Sequence, residues 1–172
     1  QFQYNVINRN LTGWLELWGF IKTITQNVLL LIGCILILSC SGKRPLNLGV
    51  SDGALALCPD TPNCVSSDAK DAKHQVQNYT LALKSDDAWQ AVRKLVLKLA
   101  RTKIVNESDS YLHAECRSAI FGFVDDFELY LHPGDEFISI RSAARLGFSD
   151  LGVNRKRVEQ LRLILFDHGV LK

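Results

Sequence analysis

The sequence predicts an α+β fold, in which an antiparallel sheet of about five strands carries two main helices on one face. Two segments space their apolar residues as amphipathic helices do, and five shorter segments alternate in the manner of strands. Turn-forming residues separate these segments. The predicted order is β-α-β-β-β-β-α. Because both helices must bury an apolar stripe, we expect them to pack on the same face of the sheet.

The first strand and the first helix are predicted within residues 78–100. Residues 78–84 alternate Tyr79, Leu81 and Leu83 with polar or small neighbours, as a half-buried strand does. Ser85 and the two aspartates after it favour a helix start, because acidic groups suit the positive N-terminal end of a helix. Apolar residues at helical spacing then continue to about Ala100.

The remaining elements are short periodic segments bounded by turn residues. Strands are predicted at 103–107, 111–117, 120–131 and 136–142, and a second helix at 154–166. Pro133 and Gly134 mark the turn between the last two strands. Asn154 is expected to cap the second helix by accepting hydrogen bonds from its first turn.

The first forty residues differ from the rest and predict a signal peptide or membrane-anchor segment, residues 1–40. Residues 28–38 form an uncharged apolar run that is short of the roughly 20 residues of a membrane span. The run ends just before Cys40 in a pattern that resembles the bacterial lipoprotein signal, so Cys40 is a candidate lipidation site. A plain signal peptide or a true anchor is the alternative. Residues 41–56 are expected to be a tether, and residues 57–172 a single domain.

Composition narrows the class of protein further. Apolar and charged contents of 47% and 22% are ordinary for a globular chain. The formal net charge of +2 and the lack of a long basic block in the sequence argue against a nucleic-acid binder. The sequence contains no pattern typical of a cofactor or metal site, so we expect neither a cofactor nor a bound metal.

The cysteines fit an exported protein. Cys58 and Cys64 flank the proline-stiffened sequence PDTPN, which favours a disulfide between them. Two free, packed thiols are the alternative, and a metal site is disfavoured because Cys-x5-Cys is not a usual zinc spacing. Cys116 shares parity with Leu112 and Ala114 on its strand, so a packed core thiol is expected.

Charged residues gather near the end of the last predicted strand. Period-two alternation places Asp125 in an apolar row with three phenylalanines, where a carboxylate needs a partner. With the turn at Pro133, Arg141 is predicted opposite about Asp126, with Arg145 close by. The candidate site comprises Asp125, Asp126, Arg141, Ser142, Arg145, Asp150, Asn154 and Arg155. These residues form either an ion-pair network that fastens the strand to the second helix or a site for an anion.

Three stretches of the sequence together resemble the DUF1499 family, a family of domains of unknown function. They are residues 57–67 (LCPDTPNCVSS), 121–129 (FGFVDDFEL) and 140–162 (IRSAARLGFSDLGVNRKRVEQLR). The resemblance covers roughly residues 57–166 and implies no particular activity. It implies that seven of the candidate residues form one cluster: Asp125, Arg141, Ser142, Arg145, Asp150, Asn154 and Arg155. Like exported or lumen-directed members, this protein is then expected on the periplasmic or thylakoid-lumen side of a membrane.

The resulting hypothesis is a membrane-tethered exported domain that binds a small anionic or lipid-like ligand or a membrane-protein partner. One alternative is a hydrolase-like enzyme in which Asp125 is the acid or base and Arg141 anchors the substrate. The other is a scaffold without a ligand. The four histidines form no recognisable catalytic pattern, and His113 is expected to point outward from its strand, so enzymatic activity stays open.

Mass spectrometry of the mature N-terminus tests the lipidation hypothesis. We expect the mature chain to begin at Cys40 and to carry the added mass of acyl chains, because that cysteine ends the lipoprotein-like signal. An unmodified Cys40, or a chain that keeps the residues before it, would contradict the hypothesis.

Overall fold

The computed structural model describes residues 18–29 and 42–172. The chain divides into two compact units, Gln1–Ser39 and Cys40–Lys172. The first contains a helical segment, α1, at residues 18–29. Within the described residues, no helix is long and apolar enough to cross a membrane. Cys40 and most of the apolar run at 28–38 lie outside the described residues.

The second unit is an α+β fold, as predicted. Its elements are β1 (Val50–Ser51), β2 (Ala54–Leu55), β3 (Cys64–Ser66), β4 (Tyr79–Thr80), α2 (Ser85–Val96), β5 (Thr102–Glu107), β6 (Tyr111–Arg117), β7 (Val124–Leu131), β8 (Phe137–Ala144) and α3 (Val153–Asp167). The main sheet has the order β3-β8-β7-β6-β5, and β4 also pairs with β8. Its strand pairs are antiparallel. The short strands β1, β2 and β3 were not predicted.

One apolar core joins the sheet to the two helices. The sheet contributes Phe127, Leu129, Ile138 and Ile140, and the helices contribute Val92, Val96, Leu161 and Leu165. All eight side chains are fully buried. Because strand residues alternate between faces, these sheet residues define the face on which α2 and α3 pack.

The pairing of β7 with β8 differs from the predicted register by two residues. Leu131 is paired with Ile138, so the connecting loop is longer than the predicted turn. Arg141 therefore lies opposite Glu128 instead of Asp126. A shift of two keeps every side chain on its predicted face, because the side-chain period of a strand is two.

The predicted long strand at 120–131 begins only at Val124. Gly122 has a φ of +66°, which departs from an extended backbone. A hydrogen bond from Ser118 N to Phe123 O closes residues 118–123 into a loop. Two of the three phenylalanines in the predicted apolar row, Phe121 and Phe123, are therefore exposed loop residues.

The start of α3 also corrects a prediction. The helix begins at Val153, and Asn154 lies inside its first turn instead of capping it. Asp150 takes the capping role, since its carboxylate accepts hydrogen bonds from Gly152 N at 2.9 Å and Asn154 N at 2.8 Å.

Residues 42–57, expected to be mostly tether, contact the face of the sheet opposite the helices. Gly49 N donates to Glu128 Oε1 at 2.8 Å, and Arg44 pairs with Glu115 at 3.0 Å. Leu55 N donates to Asp68 Oδ2 at 2.8 Å, close to β3. We call residues 42–57 the strap, because they cross this polar face.

The predicted disulfide between Cys58 and Cys64 is confirmed, with a Cα–Cα distance of 5.6 Å. It closes the loop that leads from the strap into β3. Cys116 is a free, buried cysteine.

A matched pair of substitutions on α3 tests this assignment of the core. We expect Leu161→Ala to lower the free energy of unfolding by about 2–5 kcal/mol, because the side chain is fully buried and its removal leaves a cavity. Leu163→Ala is the control: this side chain is 64% exposed, so a change within about 0.5 kcal/mol is expected. Urea denaturation measures both, and equal losses would contradict the packing of α3.

Candidate functional site

Asp125 faces the helices and is paired with an arginine of α3. Arg157 Nη2 donates to Asp125 Oδ2 at 2.7 Å. Arg141 and Arg145, the cations that the sequence places nearest to this strand end, are therefore not the partners of Asp125. Sequence reasoning considered only the neighbouring strand as a source of cations and overlooked the helix. The available signal was the spacing of Arg157, one turn after Asn154 and so on the same side of α3.

Arg157 also ties β8 to α3. Its Nη1 donates to Ser142 Oγ at 2.9 Å and to Asn154 Oδ1 at 2.6 Å. Ser142 Oγ donates to the same Asn154 oxygen at 2.6 Å, and Asn154 Nδ2 donates to Asn63 O at 3.1 Å. The guanidinium is therefore fixed by the hydrogen bonds that it donates to three elements, β7, β8 and α3.

Asp126 points to the opposite face of the sheet. Arg145 binds it through two nitrogens, with Nε to Oδ2 at 2.9 Å and Nη2 to Oδ1 at 2.6 Å. The Nη2 atom also donates to Glu115 Oε1 at 2.8 Å. His113 Nε2 lies 2.7 Å from Asp126 Oδ1. His113, expected to point outward from its strand, does lie on the face away from the helices, but it is buried, with only 2% of its surface exposed.

A second ion pair lies next to the first on the same face. Arg141 Nη1 donates to Glu128 Oε2 at 2.8 Å. Glu128 Oε1 accepts hydrogen bonds from Tyr111 Oη at 2.7 Å and from Gly49 N at 2.8 Å. Among the described residues, Arg141 Nε is the buried side-chain polar atom left without a hydrogen-bond partner. The strap thus closes over a layer of buried charges.

The two neighbouring aspartates of β7 have opposite pKa shifts. Burial raises the pKa of Asp125 above its usual range, and the Arg157 guanidinium offsets only part of that effect. Burial acts in the same direction on Asp126, but hydrogen bonds with Arg145 and His113 outweigh it, so the pKa of Asp126 lies below its usual range. Asp125 is therefore the more easily protonated of the two.

Asp150 and Arg155 are engaged around the start of α3. The Asp150 carboxylate already occupies two N–H groups at the N-terminus of the helix. Arg155 donates to Lys73 O at 2.7 Å and to Gln75 O at 2.9 Å. These two side chains hold the loops on either side of the helix start.

The structure thus divides the predicted site residues among three places. Asp125, Ser142 and Asn154 meet on the helix face, Asp126, Arg141 and Arg145 lie on the strap face, and Asp150 and Arg155 serve the loops. Asp125 and Arg141 lie on opposite faces of the sheet, so the acid-and-anchor pair of the enzyme hypothesis does not face one reacting centre.

A cleft of about 340 Å³ opens beside Asp125. It lies between the end of α2, the adjoining ends of β5 and β6, and the start of α3. Its polar lining consists of Arg101, Thr102, Arg117, Ser118, Asp125, Lys156, Arg157 and Gln160. Cys116 also lines it, with Sγ 3.4 Å from Thr102 Oγ1. Burial raises the pKa of the Cys116 thiol, so this group is a poor nucleophile.

Within residues 18–29 and 42–172, no group of three or more His, Cys, Asp or Glu side chains is arranged to hold a metal ion.

Residues 54–165 match a protein family described as a protein of unknown function, DUF1499. The chain belongs to the DUF1499 family. The resemblance carried by the three sequence motifs is thereby confirmed. No curated protein and no solved structure matches the chain. A function for this DUF1499 domain must therefore be argued from its own geometry.

Removal of Arg145 tests the buried ion pairs of the strap face. We expect Arg145→Ala to lower the free energy of unfolding by about 3–5 kcal/mol at neutral pH, because it leaves the Asp126 carboxylate buried without its main cation. Arg117→Ala is the control. Arg117 is 52% exposed and lies 3.5 Å from Glu115, so its loss should cost less than about 1 kcal/mol.

The same pair of variants has a defined pH dependence. A depressed pKa in the folded state makes Asp126 stabilising above its unfolded pKa of about 4, and this contribution is lost as the pH falls through the folded value. The difference between native protein and Arg145→Ala should therefore shrink in acid. Urea denaturation at several pH values measures it, and a difference that grows below about pH 4 would contradict the assignment.

Proposed function

We propose that this domain binds a small anion, of the phosphate or carboxylate class, in the cleft beside Asp125. An N-terminal anchor would hold the domain at the periplasmic or lumenal side of a membrane. The observation that carries the binding proposal is the charge of the cleft lining, which contains four cationic side chains and one carboxylate: Arg101, Arg117, Lys156 and Arg157 against Asp125.

The cations of the cleft differ in how far they are already engaged. Arg157 and Asp125 neutralise each other at 2.7 Å. Arg101, Arg117 and Lys156 are exposed. In the part of the chain that the structure describes, Arg117 lies 3.5 Å from Glu115 and forms a weak ion pair with it. Neither Arg101 nor Lys156 forms an ion pair there. Among the described residues, Arg101 and Lys156 are therefore free of ion pairs and can meet an incoming anion.

The cleft has the size and the polar groups for such a ligand. A volume of about 340 Å³ lies within the roughly 300–1,000 Å³ of small-molecule sites. Thr102, Ser118 and Gln160 supply hydrogen-bonding groups along its wall. Bidentate guanidinium groups favour planar carboxylates and phosphates.

Part of the cleft is held rigidly. Arg101 has a φ of +53°, a backbone conformation that is rare for a residue with a side chain. It is held there by Arg117 N, which donates to Arg101 O at 3.0 Å, and by its own Nε, which donates to Arg117 O at 3.2 Å. The fixed Arg157 completes the opposite wall. Such preorganisation lowers the entropy lost on binding.

Titration of inorganic phosphate into the full chain in detergent, followed by amide NMR shifts, tests the proposal. We expect shifts that saturate and that concentrate on Arg101, Lys156 and Gln160. The double variant Arg101→Ala, Lys156→Ala should raise the Kd at least tenfold, about 1.4 kcal/mol, because both free cations are lost.

Lys70→Ala is the matched control, since this lysine is exposed and does not line the cleft. Equal effects of the control and of the double variant, or shifts spread over all surface lysines, would leave the scaffold as the better hypothesis. A short-chain phosphatidic acid provides a second arm. Tighter binding of this lipid than of phosphate would identify a lipid headgroup as the source of the anion.

A further inference from the structure

We infer that one end of the domain, formed by two loops, docks on the surface of an anionic bilayer. The loops are residues 118–123, between β6 and β7, and residues 145–152, between β8 and α3. Their exposed apolar side chains define what we call the loop surface: Ile120, Phe121, Phe123, Leu146, Phe148 and Leu151.

The two loops lie side by side at one end of the sheet. The first leads into β7 and the second leaves β8, and Asp125 at the start of β7 is paired with Ala144 at the end of β8. Arg145 N donates to Val124 O at 3.1 Å, which extends this pairing to the loops themselves. Their apolar side chains therefore form one surface instead of two separate patches.

The loop surface is unusually exposed for its residue types. Ile120 is 83% exposed, Phe148 73% and Leu151 87%. Scattered single apolar residues on a surface need no explanation, but a group of six at one end of a small domain is typical of an interaction site.

The backbone presents these side chains in fixed positions. Leu151 has a φ of +54°, although an apolar residue with a Cβ rarely adopts this conformation. Ser149 Oγ accepts a hydrogen bond from Leu151 N at 3.3 Å, and Asp150 Oδ1 accepts one from Gly152 N at 2.9 Å. Phe123 N donates to Ser118 Oγ at 3.0 Å in the other loop. Exposed leucine and phenylalanine side chains held on ordered loops suit insertion into a lipid surface.

The chain itself points to the bilayer as the occupant. Gly42 lies against the loop surface, since a Cβ at this position would meet Arg145 Cβ at 2.9 Å and Leu146 Cγ at 3.1 Å. Residue 42 is only two positions after the candidate lipidation site, Cys40, and two residues span at most about 7 Å. A lipid on Cys40, or an anchor ending there, would bring this end of the domain to the membrane.

The charges around the loop surface favour an anionic leaflet. Lys43, Arg44 and Arg117 are exposed near the loops, as is Lys156 just inside α3. The carboxylates of this end have partners of their own. Glu115 pairs with Arg145 and also with Arg44, which is therefore partly neutralised. Asp125 and Asp126 pair with Arg157 and Arg145, and Asp150 caps α3. Each Lys or Arg near an anionic surface adds attraction that salt screens within about a Debye length.

This inference rests on the tether of the proposed function and does not depend on anion binding in the cleft. A second copy of the chain and a protein partner are the other possible occupants of the loop surface. Both would cover it without a bilayer, and this difference separates them from the proposal.

Quenching of an introduced tryptophan tests the docking. The test variant is Phe148→Trp, and the matched control is Phe166→Trp. Phe166 is 60% exposed and lies near the C-terminal end of α3, about 20 Å along the helix from its start. Each full chain is reconstituted into vesicles of phosphatidylglycerol and brominated phosphatidylcholine. Emission is compared with that of the unsubstituted chain, which carries three tryptophans.

We expect the tryptophan at position 148 to lose about half of its emission to the bromines and to shift to the blue, since docked side chains enter the lipid by about 5–10 Å. The tryptophan at 166 should show neither effect. Replacing phosphatidylglycerol by neutral lipid should weaken the quenching at 148.

Equal quenching at both positions, or none at 148, would overturn the inference. A blue shift at 148 that appears in detergent and grows with protein concentration would also overturn it, in favour of a second copy. Because phosphate binding in the cleft is measured without a bilayer, failure of docking and failure of anion binding are separate results.

Discussion

The fold depends on three buried carboxylates in β7, because each of them needs a cationic partner. An unpaired buried charge costs several kcal/mol, so β7 cannot pack until each carboxylate has an arginine. The pairs are Asp125 with Arg157, Asp126 with Arg145, and Glu128 with Arg141. Arg141 lies in β8, Arg145 directly follows it, and Arg157 lies in α3. The pairing therefore fixes both the neighbouring strand and the terminal helix against the centre of the sheet.

The alternation of these carboxylates between faces explains the layers of the domain. Among the described residues, the helix face of the sheet is mostly apolar. The Asp125–Arg157 ion pair on this face lies beside the cleft. The opposite face carries two adjacent ion pairs, whose carboxylates also contact His113 and Tyr111. A buried polar layer of this kind needs further hydrogen bonds from the segment that covers it. The strap supplies them, which is why a segment that looks like linker in the sequence covers a face of the sheet.

The cleft and the loop surface share the same end of the domain. Ser118, Ala119 and Val153 line the cleft and also flank the exposed apolar side chains. Both proposals involve groups that are held in place: Arg157 is fixed by hydrogen bonds to three elements, and Leu151 is held in an uncommon backbone conformation. An anion in the cleft and a membrane surface at the loops would act on neighbouring parts of one preorganised end.

The sequence by itself determined the α+β class, the two main helices, the strands β5 to β8, the Cys58–Cys64 disulfide and the DUF1499 family. These features follow from local periodicity, short spacing and motifs. Of the strand predicted at 78–84, only Tyr79 and Thr80 pair in the sheet. The tertiary structure decided which arginine meets which carboxylate. Because the turn is longer than predicted, Arg141 lies opposite Glu128 instead of Asp126. Arg157, which pairs with Asp125, comes from α3, far along the sequence. Ion pairs across elements depend on register and helix placement, and neither is encoded within a single stretch of chain.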